Sequence, residues 1–143
     1  MKVVGVNGFG RIGRYFTRLT LDNSNVDVAV VNDLADVKTL AHLLKYDSVH
    51  RGLKHEFVIN ENTIEFSNGK KIVFLSERNP ENIPWGKYGV EIVLESTGIF
   101  RTKELASKLI TMKNRKSNFV KPKTFFYTDP QLHRWLYTLK FIN

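Results

Sequence analysis

Residues 2–13 read KVVGVNGFGRIG, and this stretch decides the fold. Its first half, residues 2–7, is a short apolar run of the kind carried by a strand buried on both faces. Gly8 ends the run. The second half, Gly8-Phe9-Gly10-Arg11-Ile12-Gly13, matches G-x-G-x-x-G. A helical pattern follows, with Ile12, Phe16 and Leu19 at i, i+4 and i+7 predicting one inward face, until residues 22–25 (DNSN) stop it with turn chemistry. Residues 26–31 (VDVAVV) predict a second buried strand, closed by Asn32 and Asp33. Asp36 is placed to cap a second helix whose apolar face is Val37, Leu40, Ala41 and Leu44. Strand, helix, strand, helix is the grammar of a parallel sheet with crossover helices.

Glycines in a turn often serve only the turn, so the motif is read by its context. It follows a buried-type strand, it opens a helix, and Asp33 stands twenty residues after Gly13 at the end of the next strand. Each position then has a physical task. Gly8 permits a tight turn, Gly10 has no side chain to keep a pyrophosphate from the backbone, and Gly13 lets the helix pack closely on the strand. The first turn of the helix offers free N–H groups and a positive dipole end to phosphate. A carboxylate at position 33 accepts hydrogen bonds from ribose hydroxyls and repels the 2′-phosphate of NADP. The constellation predicts a dinucleotide site that prefers NAD.

Beyond the second helix the pattern changes. Residues 57–59, 63–66 and 72–75 are short strand signals separated by Asn60-Glu61-Asn62 and by the hairpin pair Asn68-Gly69, which predicts an antiparallel insertion over residues 56–76. Residues 79–86 read as a loop. Residues 90–94 (VEIVL) return to the buried-strand type, and a further helix is expected from about Thr102, with Leu105 and Leu109 inward. The fold class is therefore α/β: a mostly parallel sheet with an antiparallel insertion.

The last 35 residues have another composition. Residues 1–108 hold 15 basic and 13 acidic side chains, whereas residues 109–143 hold seven basic side chains and only Asp129 as an acid, so most of the net +8 lies in the tail. All nine glycines lie at or before Gly98. We therefore expect a domain over residues 1–108 and a distinct basic, aromatic tail over residues 109–143. Asp129-Pro130 is a good helix start, and Leu132, Trp135, Leu136 and Leu139 form an i, i+3, i+4, i+7 stripe, which predicts a packed last helix. The absence of cysteine excludes a disulfide framework, a Cys-ligated zinc and a thiolate nucleophile. No run approaches the ~18 apolar residues of a membrane span, nothing at the start reads as a targeting peptide, and the expectation is a cytoplasmic protein without membrane or metal partners.

Several separate motifs, in order, carry a family resemblance. Residues 4–14 (VGVNGFGRIGR), Asn32-Asp33-Leu34, residues 43–50 (LLKYDSVH), Glu77-Arg78, residues 83–86 (IPWG) and residues 95–100 (ESTGIF) closely resemble phosphorylating glyceraldehyde-3-phosphate dehydrogenase over about residues 2–108. The resemblance implies a doubly wound, Rossmann-type NAD-binding half. By it, Gly8, Phe9, Gly10, Arg11, Ile12 and Gly13 form the pyrophosphate turn, Arg11 and Ile12 contacting through their backbone. Asn32 and Asp33 lie at the adenosine ribose, Arg78 beside the adenine end, and Thr97, Gly98 and Phe100 along the cleft at the carboxyl end of the fourth parallel strand.

The departures from the family pattern are equally informative. The family's next strand and its Ser-Ala-Pro segment are not found after the helix around Ala106, nor is the segment bearing the nucleophilic cysteine, nor the catalytic domain with its base histidine and phosphate-binding arginines. His42, His50, His55 and His133 have no serine–carboxylate arrangement nearby and read as surface or packing residues. We expect no catalytic residues and no activity from this chain alone, as for a truncated or frame-shifted product whose incomplete sheet invites self-association. Other readings stand beside this one. The chain is a fragment of an erythrose-4-phosphate dehydrogenase, which shares this half. Or it is a non-enzymatic nucleotide- or RNA-binding module, in which Lys113, Arg115, Lys116, Lys121 and Lys123 mix charge with the rings of Phe125, Phe126 and Tyr127. The absence of a recognised RNA-binding motif argues against a nucleic-acid partner.

Overall fold

Apolar residues on both faces of a strand demand cover from both sides, and the first strand, β1 (Lys2–Asn7), is buried throughout its second half. It lies at the centre of a sheet. The computed structural model describes residues 1–47, 51–99, 124–127 and 137–140. After β1 come α1 (Arg11–Leu21), β2 (Val26–Asn32), α2 (Val37–Lys45) and a two-stranded ribbon of β3 (Tyr46–Asp47) with β4 (Arg51–Gly52). Then come β5 (Phe57–Asn60), β6 (Thr63–Phe66), β7 (Lys71–Leu75), 3₁₀ turns at Pro80–Asn82 and Trp85–Tyr88, and β8 (Ile92–Glu95). Thr124–Tyr127 is β9 and Tyr137–Lys140 is β10.

One eight-stranded sheet runs β10-β9-β8-β1-β2-β7-β6-β5. β1 pairs parallel with β2 and with β8, β2 pairs parallel with β7, and β8 pairs parallel with β9. The remaining pairs, β7 with β6, β6 with β5 and β9 with β10, are antiparallel. The α/β class and the mixed sheet are as the sequence predicts. The insertion differs in one respect: β7 closes the antiparallel hairpin and is also the third parallel strand. Its residues Ile72 and Phe74 face the main core while Val73 packs on the second cluster, so both faces are covered, as a parallel strand requires.

The second helix is built as its pattern predicts. Asp36 caps it, accepting from the Thr39 N–H at 3.0 Å, and Leu40, Ala41 and Leu44 are buried. The first helix is rotated from expectation. Its buried residues are Gly13, Thr17, Thr20 and Leu21, while Ile12 and Leu19 are exposed and Phe16 is only partly buried. The cause is Gly13, which is pressed so closely on the turn after β1 that it fixes which face of α1 looks inward. The loop over residues 79–86 holds two 3₁₀ turns and carries Trp85, which is fully buried at the centre of a second core cluster with Val30, Ile83, Val90 and Val93.

Two findings concern the tail. The sheet continues past β8 into β9, in residues that have left the family pattern. Tyr137–Lys140 is a strand where the stripe ending at Leu139 predicts helix; aromatic and β-branched residues there pair with Thr124–Tyr127 in place of forming a helical turn. The expected helix from Thr102, the stripe residues Leu132, Trp135 and Leu136, and the proposed boundary near residue 108 lie outside the described residues.

Candidate functional site

The carboxyl ends of β1, β2, β7 and β8 meet at a cleft of about 420 Å³, where ligands of open parallel sheets bind. It is lined by Gly8 and Gly10 after β1, by Asn32, Asp33 and Leu34 at the end of β2, by Glu77, Arg78 and Pro80 after β7, and by Ser96, Thr97 and Ile99 after β8, with Asn7 at its base.

The three glycines of the motif have different reasons to be glycine. Gly8 has φ +92°, and a Cβ there would stand 2.6 Å from the Thr97 amide nitrogen. A Cβ on Gly13 would meet the Gly8 carbonyl oxygen at 2.2 Å. Both are required by the protein itself. Gly10 is not: its φ of −69° suits any residue, and among the described residues a Cβ there would meet nothing within 4 Å. Its side-chain space opens on the cleft, so the residue keeps room for something other than protein. Gly10 is also the N-cap of α1, with no side-chain cap and no acid in the first turn. The leading N–H groups of the helix are left without a side-chain partner and carry its positive dipole end, the arrangement a pyrophosphate fits.

Asp33 is held from two sides, its Oδ2 accepting from the Phe9 N–H at 2.7 Å and its Oδ1 from the Ala35 N–H at 3.0 Å. Each carboxylate oxygen keeps a further lone pair for a ribose hydroxyl. The Arg14 guanidinium donates to the Phe9 carbonyl at 3.0 Å and so braces the turn from behind, a contact the sequence reading omits.

Beneath the cleft lies a buried polar row that the sequence reading also omits. Asn7, Asn32 and Glu95 end three adjacent parallel strands, with Asn7 in register with both of the others. They are 3%, 5% and 2% exposed. Asn7 Nδ2 donates to Glu95 Oε2 at 2.6 Å, and Asn32 Nδ2 donates to Asn7 Oδ1 at 2.9 Å. Asn32 Oδ1 then accepts from the Glu77 N–H at 2.8 Å. The other Glu95 oxygen accepts from the Thr97 N–H at 2.7 Å and from the Thr97 hydroxyl. Burial pushes the Glu95 carboxyl above the ordinary glutamate range, and the Thr97 and Asn7 bonds offset part of that rise. The signal was present, since each of three apolar strands ends in a polar residue at the same level.

Of the residues predicted from sequence, the cleft brings together Gly8, Gly10, Asn32, Asp33, Arg78 and Thr97. Phe9 has its side chain in the core, edge-on to Phe74 at 5.2 Å between ring centres, and presents only backbone at the turn. Arg11 and Ile12 are exposed at the start of α1, Gly13 is buried beneath it, and Gly98 (φ +74°) turns the chain after Thr97. Phe100 lies outside the described residues. Among the described residues no group of three or more His, Cys, Asp or Glu is placed to hold a metal ion, and no helix is long and apolar enough to cross a membrane.

Residues 2–103 match the family model of the glyceraldehyde 3-phosphate dehydrogenase NAD binding domain. The chain is 56% identical over 108 residues to glyceraldehyde-3-phosphate dehydrogenase 1 of Bacillus cereus, covering 76% of this chain and 32% of that one. It is 55% identical over 105 residues to glyceraldehyde-3-phosphate dehydrogenase of Geobacillus stearothermophilus, covering 73% and 31%. With glyceraldehyde-3-phosphate dehydrogenase 2 of Trichormus variabilis it shares 47% over 116 residues, covering 79% and 34%. The chain thus spans about a third of the length of these relatives. Strand order, glycine turn and match together place this chain in the family of the glyceraldehyde 3-phosphate dehydrogenase NAD-binding domain.

Proposed function

We propose that these 143 residues hold NAD at the strand-end cleft and, by themselves, oxidise no aldehyde. The observation that carries the reading is Gly10, whose missing side chain serves no neighbour among the described residues and opens the cleft at the uncapped start of α1. In this reading the first N–H groups of α1, at Arg11 and Ile12, hold the pyrophosphate. Asp33, already oriented by the Phe9 and Ala35 N–H groups, accepts from the ribose hydroxyls and disfavours a 2′-phosphate. Arg78, which lines the cleft with Asp33, flanks the adenine end, and Thr97 and Gly98 shape the wall after β8.

Bound NAD supplies a hydride acceptor. Among the described residues, those that line the cleft supply position. The relatives are named for oxidation of glyceraldehyde 3-phosphate, chemistry that needs a nucleophile and a base beside the acceptor. The chain has no cysteine. Among the described histidines, His42 is exposed against Tyr46 and His55 Nε2 is bonded to Asp22 at 2.7 Å, both on elements that do not line the cleft. The reading places the protein in the cytoplasm, with an activity that would need groups supplied from outside these residues.

Titration of NAD and of NADP into the wild type and Asp33→Ala tests the binding claim. Binding of NAD in preference to NADP is expected, with that preference reduced in Asp33→Ala. Equal affinity of the wild type for both removes the role given to Asp33. NADH formation from glyceraldehyde 3-phosphate, NAD and phosphate by the purified chain is expected to be absent.

A further inference from the structure

Glu95 does not line the cleft and is 2% exposed, so it cannot touch a ligand there. A buried carboxylate is costly unless its lone pairs are used, and here three donors use them: the Asn7 amide, the Thr97 N–H and the Thr97 hydroxyl. The row continues through Asn7 to Asn32, and from Asn32 to the Glu77 N–H, with Asn32 Nδ2 also donating to the Glu77 carbonyl at 3.0 Å. It crosses β8, β1 and β2 and reaches the segment after β7. Every chain segment that lines the cleft therefore has one member tied to the row: Thr97, the Asn7–Gly8 turn, the end of β2, and Glu77 beside Arg78.

The row has a fixed direction. Glu95 in its ionised form only accepts, so Asn7 must turn its amide nitrogen toward Glu95 and its oxygen toward Asn32. Asn32 must then offer its oxygen to the Glu77 N–H. A carboxylate at one end thus sets the orientation of both amides and of the backbone at the other end. An uncharged amide at position 95 has one oxygen for three donors, and its own N–H₂ would face one of them.

We propose that Glu95 is a positioning residue for the dinucleotide: through Asn7 and Asn32 it holds the strand ends that form the cleft at the spacing the ligand needs. The proposal rests on the NAD reading given above. It differs from a local role, in which Glu95 merely closes the turn to Thr97.

Two substitutions separate these roles. Glu95→Gln disturbs both the turn and the row. Glu95→Asp keeps a carboxylate able to accept from the N–H two residues on, as aspartate does in turns, but is too short to reach Asn7. NAD affinity of the full chain is measured with amide hydrogen exchange at Thr97 and Glu77. We expect NAD affinity to fall by about tenfold in Glu95→Gln and clearly in Glu95→Asp as well. Exchange at Glu77 should quicken in both variants, and exchange at Thr97 in Glu95→Gln alone. A Glu95→Asp protein that binds NAD like the wild type, with Glu77 still protected, overturns the proposal whatever its thermal stability. If Glu95→Gln does not fold, Glu95→Asp carries the same test. Failure of the wild type to bind NAD would defeat the NAD reading instead, while exchange at Glu77 would still report on the row.

Discussion

The carboxyl ends of the parallel strands and the antiparallel extension belong to one sheet, yet they place polar side chains in opposite ways. In β6 the alternation is simple, and β7 follows it only at Lys71, before Val73 packs on the second cluster. Ile64, Phe66, Ile72 and Phe74 turn inward, and Glu65 and Lys71 turn out, where their ion pair of 3.0 Å holds the Glu65 carboxyl below its ordinary range. At the ends of β1, β2 and β8 the polar residues Asn7, Asn32 and Glu95 turn inward and satisfy one another. The first arrangement serves burial and is worth little as an ion pair. The second specifies position, because a buried polar row tolerates only the geometry in which each member is bonded. Stability and ligand geometry are thus assigned to different parts of the same sheet.

The most damaging way to test that division is Ile64→Ala, in a side chain with no exposure in the main core. It should lower unfolding free energy by about 2–5 kcal/mol in a urea titration. NAD affinity of the folded fraction should be unchanged, since Ile64 does not line the cleft; a matching loss of affinity would erase the distinction. Gly13→Ala comes next, because its Cβ would meet the Gly8 carbonyl and both groups are backbone-bound. About 1–3 kcal/mol of stability should go, and here NAD affinity should fall with it, since α1 must move off the turn.

The smallest effect is a pH slope. The Glu95 carboxyl is raised in the folded state, so the folded protein holds this proton more tightly than the unfolded chain does. Its contribution to stability is complete below the ordinary glutamate range and declines as pH rises through the raised value. The stability of the wild type minus that of Glu95→Gln should therefore fall from acid toward neutral pH. Parallel stability profiles for the two proteins would mean that the Asn7 and Thr97 hydrogen bonds cancel the cost of burying the carboxylate.

Much of this was legible in residues 2–47. The apolar runs ending at Asn7 and Asn32, the cap at Asp36 and the face of α2 follow local rules, because periodicity and turn chemistry act within a few residues. The rotation of α1 was not legible, because it is set by one close backbone approach at Gly13 and not by the average of the apolar pattern. Trp85 reads as loop, since Pro84 and Gly86 flank it, although tertiary burial decides its place. The double pairing of β7 and the strand at Tyr137–Lys140 depend on neighbours distant in sequence, and such pairing overrides a helical stripe. In the site, Gly8, Gly10 and Asp33 were readable from the glycine motif and its context, and Thr97 only from the family resemblance. Glu95 was hidden as an acid at the end of an apolar strand, and only alignment of three strand ends shows what it meets.

In the proposed reading Gly10 is kept small for a ligand and not for the fold, and Gly10→Asp separates the two. Aspartate is a preferred N-cap residue, its backbone angles are allowed there, and none of the described residues obstructs its Cβ. Thermal stability should therefore hold or rise. NAD binding, followed by titration calorimetry, should be lost, because a carboxylate would stand where the pyrophosphate meets α1. A Gly10→Asp protein that binds NAD as tightly as the wild type would show that the pyrophosphate does not sit at the start of α1.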